Sequence, residues 1–151
     1  MTRRGVVLHW TVRAIRFVSL LPGVLVTAIG VEIAFRTRPL DRILAEMFQP
    51  RRRRFFSFDV PPATVSRAIH AAYHLLPFEW TCLKHALIFG RVRTGQGLPA
   101  ELRIGVQKRD GLFGAHAWVE DGLGNTLTDP LEGFKPVPLP HDSFRDERAN
   151  H

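Results

Sequence analysis

With 151 residues and 45% hydrophobic content, the chain is long enough for one domain with a real core, which excludes a disordered or low-complexity protein. Lysine and arginine outnumber aspartate and glutamate 21 to 14, a net charge of +7, so the expected partner is acidic: a peptide, an anionic lipid or nucleic acid. The one cysteine, Cys82, excludes an internal disulfide and fits a reducing cytoplasm.

The charge is uneven. Before Asp59 the arginines face only three acids, Glu32, Asp41 and Glu46, whereas the second half is nearly balanced. Residues 6–21, 24–35 and 40–48 are predicted as helices, with breaks at Pro22-Gly23 and at Thr37-Arg38-Pro39. The most apolar stretch, residues 17–31, lies between Arg16 and Glu32 and is shorter than the roughly 20 residues that span a bilayer. It reads as two buried helices meeting at the proline, with a membrane-associated hairpin as the alternative. No cleavage site of a signal peptide follows it. The run "QPRRRRFFSFDVPP" reads as an exposed linker. Its four arginines, Arg51, Arg52, Arg53 and Arg54, suit a solvated surface. A nucleic-acid patch is the sharper alternative, but no helix-turn-helix, zinc-finger or RNP signature accompanies them, and no nucleic-acid partner is expected.

From Pro61 the pattern becomes a firm helix, with Val65, Ile69, Ala72 and Leu76 along one stripe and Pro77 as its end. "TCLKHALIFGRV" predicts a second helix with Thr81 as N-cap and Cys82 in its first turn, closing in "RTGQG". The period then changes to two. Leu102, Ile104 and Val106 share one face of a strand, and the next strand, residues 113–120, sets Ala115, Ala117 and Val119 opposite His116, Trp118 and Glu120. "DGLGN" is a turn, and residues 126–129 are predicted to return as a third strand of an antiparallel meander. The proline-rich tail from Pro136 reads as extended and loosely held.

Cysteine at a helix start meets the positive end of the helix dipole, which favours the attacking thiolate, and its own N–H is placed to bind an oxyanion. The plain alternative is a small buried hydrophobe. A cysteine nucleophile needs a base, and the base needs an acceptor on its other nitrogen; His116 and Asp129 on neighbouring strands are candidates for those roles. A core histidine and a turn aspartate remain the competing reading. Cys82 and His85, with His70 and His74 one helix earlier, are the residues a zinc ion would use. A closed site needs four ligands, and a partly exposed helix surface explains the three histidines better. No phosphate-binding glycine loop or dinucleotide fingerprint is present, so no cofactor and no metal are expected.

"TCLKHALIFGRVRTGQGLPAELRIGV", followed by "FGAHAWVEDGLGNTLTD", resembles the protease of lasso-peptide biosynthesis, a transglutaminase-like cysteine peptidase that removes the leader from a ribosomally made precursor. The likeness is specific from residue 81 to residue 129 and weaker over the arginine-rich half. It implies an α+β fold: a helical N-terminal half, then a papain- or transglutaminase-like core with the catalytic helix packed on an antiparallel sheet. The implied division is a basic helical segment over 1–58, a peptidase core over 59–135 and a tail over 136–151. By the same resemblance Cys82 is the nucleophile, His116 the general base and Asp129 the residue that orients it, with Glu120 and Asp121 as nearby acids. Where the family has a basic residue followed by serine or alanine after Cys-Leu, this chain has Lys84 and His85, so the histidine is a departure.

The partners so implied are a precursor peptide, a small leader-recognition protein and an ATP-dependent macrolactam synthetase. The sequence contains nothing that would form the recognition domain. The basic N-terminal half is the expected docking surface for the recognition protein or for an acidic leader. An acyltransferase using the same three residues, and a non-catalytic basic binding module, are the alternative functions.

Overall fold

The computed structural model describes the backbone of residues 3–47, 59–128 and 132–139, and in the first two helices the side chains of residues 14–46. Arg51, Arg52, Arg53, Arg54 and Asp129 lie outside the described residues. Among the described residues the architecture is α+β, four helices followed by a three-stranded antiparallel sheet.

The first helix, α1 (Arg3–Thr37), is one continuous element of 35 residues and corrects the expected break at Pro22-Gly23. An interior proline costs about 3 kcal/mol, chiefly because the carbonyl four residues earlier loses its donor. Here that carbonyl belongs to Val18, and both Val18 and Pro22 lie on the exposed side, where water can replace the lost bond. The opposite side buries Leu20, Val24, Ala28 and Val31 almost completely. At roughly 1.5–3 kcal/mol for a fully buried aliphatic side chain, that face outweighs the proline. Because the two predicted pieces are one, the segment Ala14–Thr37 is long and apolar enough to cross a membrane by length and composition, although residues 17–31 alone are not.

Pro39 opens α2 (Leu40–Met47), and Arg38 pairs with Glu46 across the corner. The third helix, α3 (Pro62–Leu75), buries the expected stripe, Val65, Ile69 and Ala72, together with Thr64 and Ala68. The fourth, α4 (Cys82–Gly95), is central: Leu87, Ile88, Phe89 and Val92 are buried, and the helix touches every other layer of the fold. Leu20, Val24 and Ile43 from the first two helices join Val65, Phe89, Leu102 and Val119 in one hydrophobic cluster.

Strands β1 (Glu101–Arg109) and β2 (Leu112–Glu120) form a hairpin closed by Asp110 and Gly111, both at positive φ, the conformation a two-residue turn demands. Leu102, Ala117 and Val119 face α4, but Val106 and Ala115 project beyond the helix and are exposed. The third strand differs from expectation. Residues 126–128 make only an isolated bridge, Thr126 with Glu120, whereas β3 (Lys135–Val137) pairs with the other edge of β1. The sheet order is therefore β2-β1-β3, a hairpin with an added edge rather than a meander. The same pairing places residues 135–137 in the sheet, and Leu139 is buried, so the tail does not loosen at Pro136.

A buried ion pair joins α1 to the start of α4. The ammonium of Lys84 donates to Glu32 Oε2 at 2.7 Å and to the Glu79 carbonyl at 2.8 Å, and it lies over the Phe35 ring. The hydrogen bond from Lys84 holds the Glu32 carboxyl below its ordinary pKa of 4.5, against the opposing effect of burial. A depressed carboxyl contributes stability that is fully present above 4.5 and is lost as pH falls through the folded value. Glu32→Gln should cost about 2 kcal/mol at neutral pH, where the Lys84 ammonium loses its counter-charge and keeps only a neutral amide oxygen as acceptor. In urea denaturation the wild-type and variant curves should converge as the pH is taken down through 4.5. A gap that stays constant into acid would show that the charge of Glu32 is not what matters.

Candidate active site

The start of α4 is built by local sequence. Thr81 has extended backbone, as an N-cap must, and its hydroxyl accepts from Lys84 N at 3.3 Å while its carbonyl accepts from His85 N at 3.0 Å. The N–H groups of Cys82 and Leu83 are left at the helix end, where such groups attract negative charge. Cys82 itself is exposed, which disposes of the reading of it as a small core residue.

Cys82 and His116 line one cavity of about 250 Å³, together with His70, Tyr73, Trp80, Thr81, His85, Ala117 and Thr128. The structure thus brings together two of the three expected site residues. The third, Asp129, lies outside the described residues, but its predecessor Thr128 is on the cavity wall. Thr128 is held there by β2: Val119 N donates to its hydroxyl at 3.0 Å, and Leu127 N donates to the Val119 carbonyl at 2.8 Å.

The two nearby acids are committed elsewhere. Glu120 accepts from the Trp118 indole at 2.8 Å and from Arg103 at 3.0 Å. Asp121 ties its turn together, accepting from Asn125 Nδ2 and from the backbone N–H groups of Leu123 and Asn125. The side-chain bond from Asn125, first among these, keeps the Asp121 carboxyl below the usual carboxylate range. Neither acid is available to orient His116.

His116 is set by the sheet. It stands opposite Gly105 on β1, stacks on Trp118 at 6.4 Å between centroids and 14° between planes, and has Phe134 at 5.6 Å on another side. The glycine is required by this packing. A Cβ at position 105 would lie 2.7 and 2.8 Å from Trp118 ring carbons and 3.0 Å from the Lys135 carbonyl.

Sequence reasoning missed the wall on the other side of the thiol. Tyr73 packs against Trp80 with ring centroids 3.9 Å apart and planes tilted by 36°, and His70 and His85 lie 5.2 and 6.0 Å from the tyrosine ring. Burial, aided by the nearby Cys82 charge, pushes the Tyr73 phenol up to about 12, so it remains a neutral donor at physiological pH. Two of the three histidines expected on a plain helix surface, His70 and His85, therefore belong to this cavity, and His74 does not. Among the described residues no three His, Cys, Asp or Glu side chains are grouped to hold a metal. The signal that could have found the wall is the three-residue spacing of His70 and Tyr73 on α3, with Trp80 two residues before the thiol.

A larger groove of about 590 Å³ runs between α1, α2 and α4, away from Cys82, and its lining includes neither cysteine nor histidine.

A family model described as the transglutaminase-like superfamily matches residues 24–138, well over half of the chain. The protein belongs to that superfamily, whose members are typically cysteine proteases or acyltransferases. No curated protein and no solved structure gives a significant match.

Gly105→Ala should cost about 1–3 kcal/mol through overpacking against Trp118. Combining it with Trp118→Leu should cost less than the sum of the two single changes, because the two ring contacts disappear and only the tight approach to the Lys135 carbonyl remains. Urea denaturation of the four proteins measures this, and strict additivity would mean that Trp118 is not what Gly105 accommodates.

Proposed function

We propose that the protein is a cysteine peptidase that removes the leader from a ribosomally synthesised lasso-peptide precursor, with Cys82, His116 and Asp129 as its nucleophile, general base and orienting acid. The observation that carries this reading is the exposed thiol at a capped helix start, sharing one cavity with His116 in a chain of the transglutaminase-like superfamily. The resemblance of "TCLKHAL" and "AHAWVE" to the lasso-peptide proteases narrows the substrate.

The reaction follows from what each group can hold or move. His116 takes the Cys82 proton, and the thiolate attacks the carbonyl carbon at the leader-core junction. The oxygen becomes an anion within reach of the N–H groups at the α4 start, where preorganised donors stabilise it more than they do the ground state. As the C–N bond breaks, the imidazolium returns the proton to the departing amine of the core peptide. Water, deprotonated by His116, then attacks the thioester, and the leader leaves with a free carboxylate while the thiol is restored. The released core amine is the group a macrolactam synthetase needs for ring closure. In this reading the protein works in the cytoplasm, with a small recognition protein holding the leader.

Incubation of the purified protein with a precursor peptide and its recognition partner, followed by mass spectrometry, tests the proposal. Cys82→Ala should abolish release of the leader and leave partner binding intact, and Asp129→Asn should lower the rate by at least about a hundredfold through loss of the imidazole orientation. Cleavage that persists in Cys82→Ala sinks the mechanism. A new amide on the leader fragment in place of a free carboxylate would assign acyl transfer instead.

A further inference from the structure

The outward side of α1 has no role in the proposed reaction. Ile15, Val18, Pro22, Val26, Ile29 and Ile33 are all exposed, four of them by more than half, and their spacing of three and four residues puts them on one straight line of the helix surface. The line is about 27 Å long at 1.5 Å per residue. Of the exposed residues between 14 and 37 only Arg16 and Arg36 are charged, one near each end. Soluble surfaces seldom leave so long a strip without charge.

The apolar groove between α1, α2 and α4 shares Pro22, Val26 and Ile33 with this strip, so strip and groove form one continuous face. Its hydroxyls are satisfied within the helix: Thr27 donates to the Gly23 carbonyl at 2.7 Å and Thr37 to the Ile33 carbonyl at 2.8 Å. A protein partner normally brings about one hydrogen bond per 100–200 Å² of interface, and the apolar side chains of the strip offer nothing to receive one; the charged side chains of the face, Arg38, Glu46 and Arg91, belong to the groove. Hydrocarbon needs none. At the α2 end, exposed Arg36, Arg38 and Arg42, the groove residue Arg91 and the enclosed Lys84 outnumber the acids Glu32, Asp41 and Glu46; Glu32 is bonded to Arg36 and Lys84, and Glu46 to Arg38.

We propose that this face is a membrane-docking surface: α1 lies in the plane of a leaflet containing anionic lipid, with the strip and groove in the acyl boundary and the terminal arginines at the headgroups. The helix does not cross the bilayer, because its other side is committed to the core through Leu20, Val24, Ala28 and Val31 and through the Glu32–Lys84 pair. The inference is independent of the peptidase reading.

Flotation of the full chain with vesicles of phosphatidylcholine alone, and of phosphatidylcholine with one quarter phosphatidylglycerol, decides the matter. Binding is expected to the anionic vesicles and to weaken in high salt. Val26→Asp with Ile33→Asp should lower the bound fraction by at least about tenfold. Both positions are exposed, so the Cys82 alkylation rate should match wild type and show that the fold is kept. Arg16→Gln should weaken binding to anionic vesicles alone. Failure of the wild-type protein to float overturns the proposal, as does undiminished flotation of the double aspartate variant. Self-association in gel filtration that the aspartates abolish, without flotation, would assign the face to a second copy instead and likewise overturn it.

Discussion

The fold turns on Lys84. Its backbone N–H is capped by Thr81, its ammonium reaches Glu32 on α1 and the Glu79 carbonyl before the helix, and its position is two residues past the thiol. One side chain therefore fixes both the first turn of α4 and the seating of that turn against α1. A charge this enclosed is tolerated because two of its donors find strong acceptors, Glu32 and the Glu79 carbonyl; with Glu32 removed it would be a largely enclosed cation short of a partner. The N-terminal helices are in this sense part of the site's construction, sharing its core and one of its ion pairs, and the family match beginning at residue 24 includes the C-terminal part of α1 and all of α2.

Around the thiol the cavity has two unlike walls. One comes from β2 and the chain alongside its open edge, and it presents His116, Ala117 and Thr128. The other comes from α3 and the short connection into α4, and it is aromatic: Tyr73 on Trp80, with His70 and His85 at the edges. His85 belongs to this second wall, packed between Tyr73 and Phe89. Its ring links the aromatic wall to the core of α4 and so bears on the shape of the pocket beside the thiol.

The long helix has two apolar sides with different fates. The inner one is consumed by α3 and α4; the outer one remains, uncharged between Arg16 and Arg36. This double character explains why its hydropathy reads as a core helix and as a membrane segment at once, since composition adds both faces together.

Much of the site was legible because it rests on short-range rules. Thr81 as N-cap, Cys82 in the first turn, the α3 stripe and the alternation around His116 each follow from hydrogen-bonding and side-chain geometry within a few residues. The errors share the opposite origin. Whether Pro22 breaks a helix depends on which side its orphaned carbonyl faces, and that is settled by packing against α3 and α4. Whether residues 126–128 or 135–137 complete the sheet depends on which edge of the hairpin each can reach, and strand propensity carries no information about that choice. The sequence by itself determined α3, α4 with its Thr81 cap, the β1–β2 hairpin and the places of Cys82 and His116 on them. Only the tertiary structure decided that Tyr73, Trp80 and His85 surround the thiol and that Glu120 and Asp121 are spent on other bonds, because such contacts join residues whose separation along the chain leaves no periodic trace.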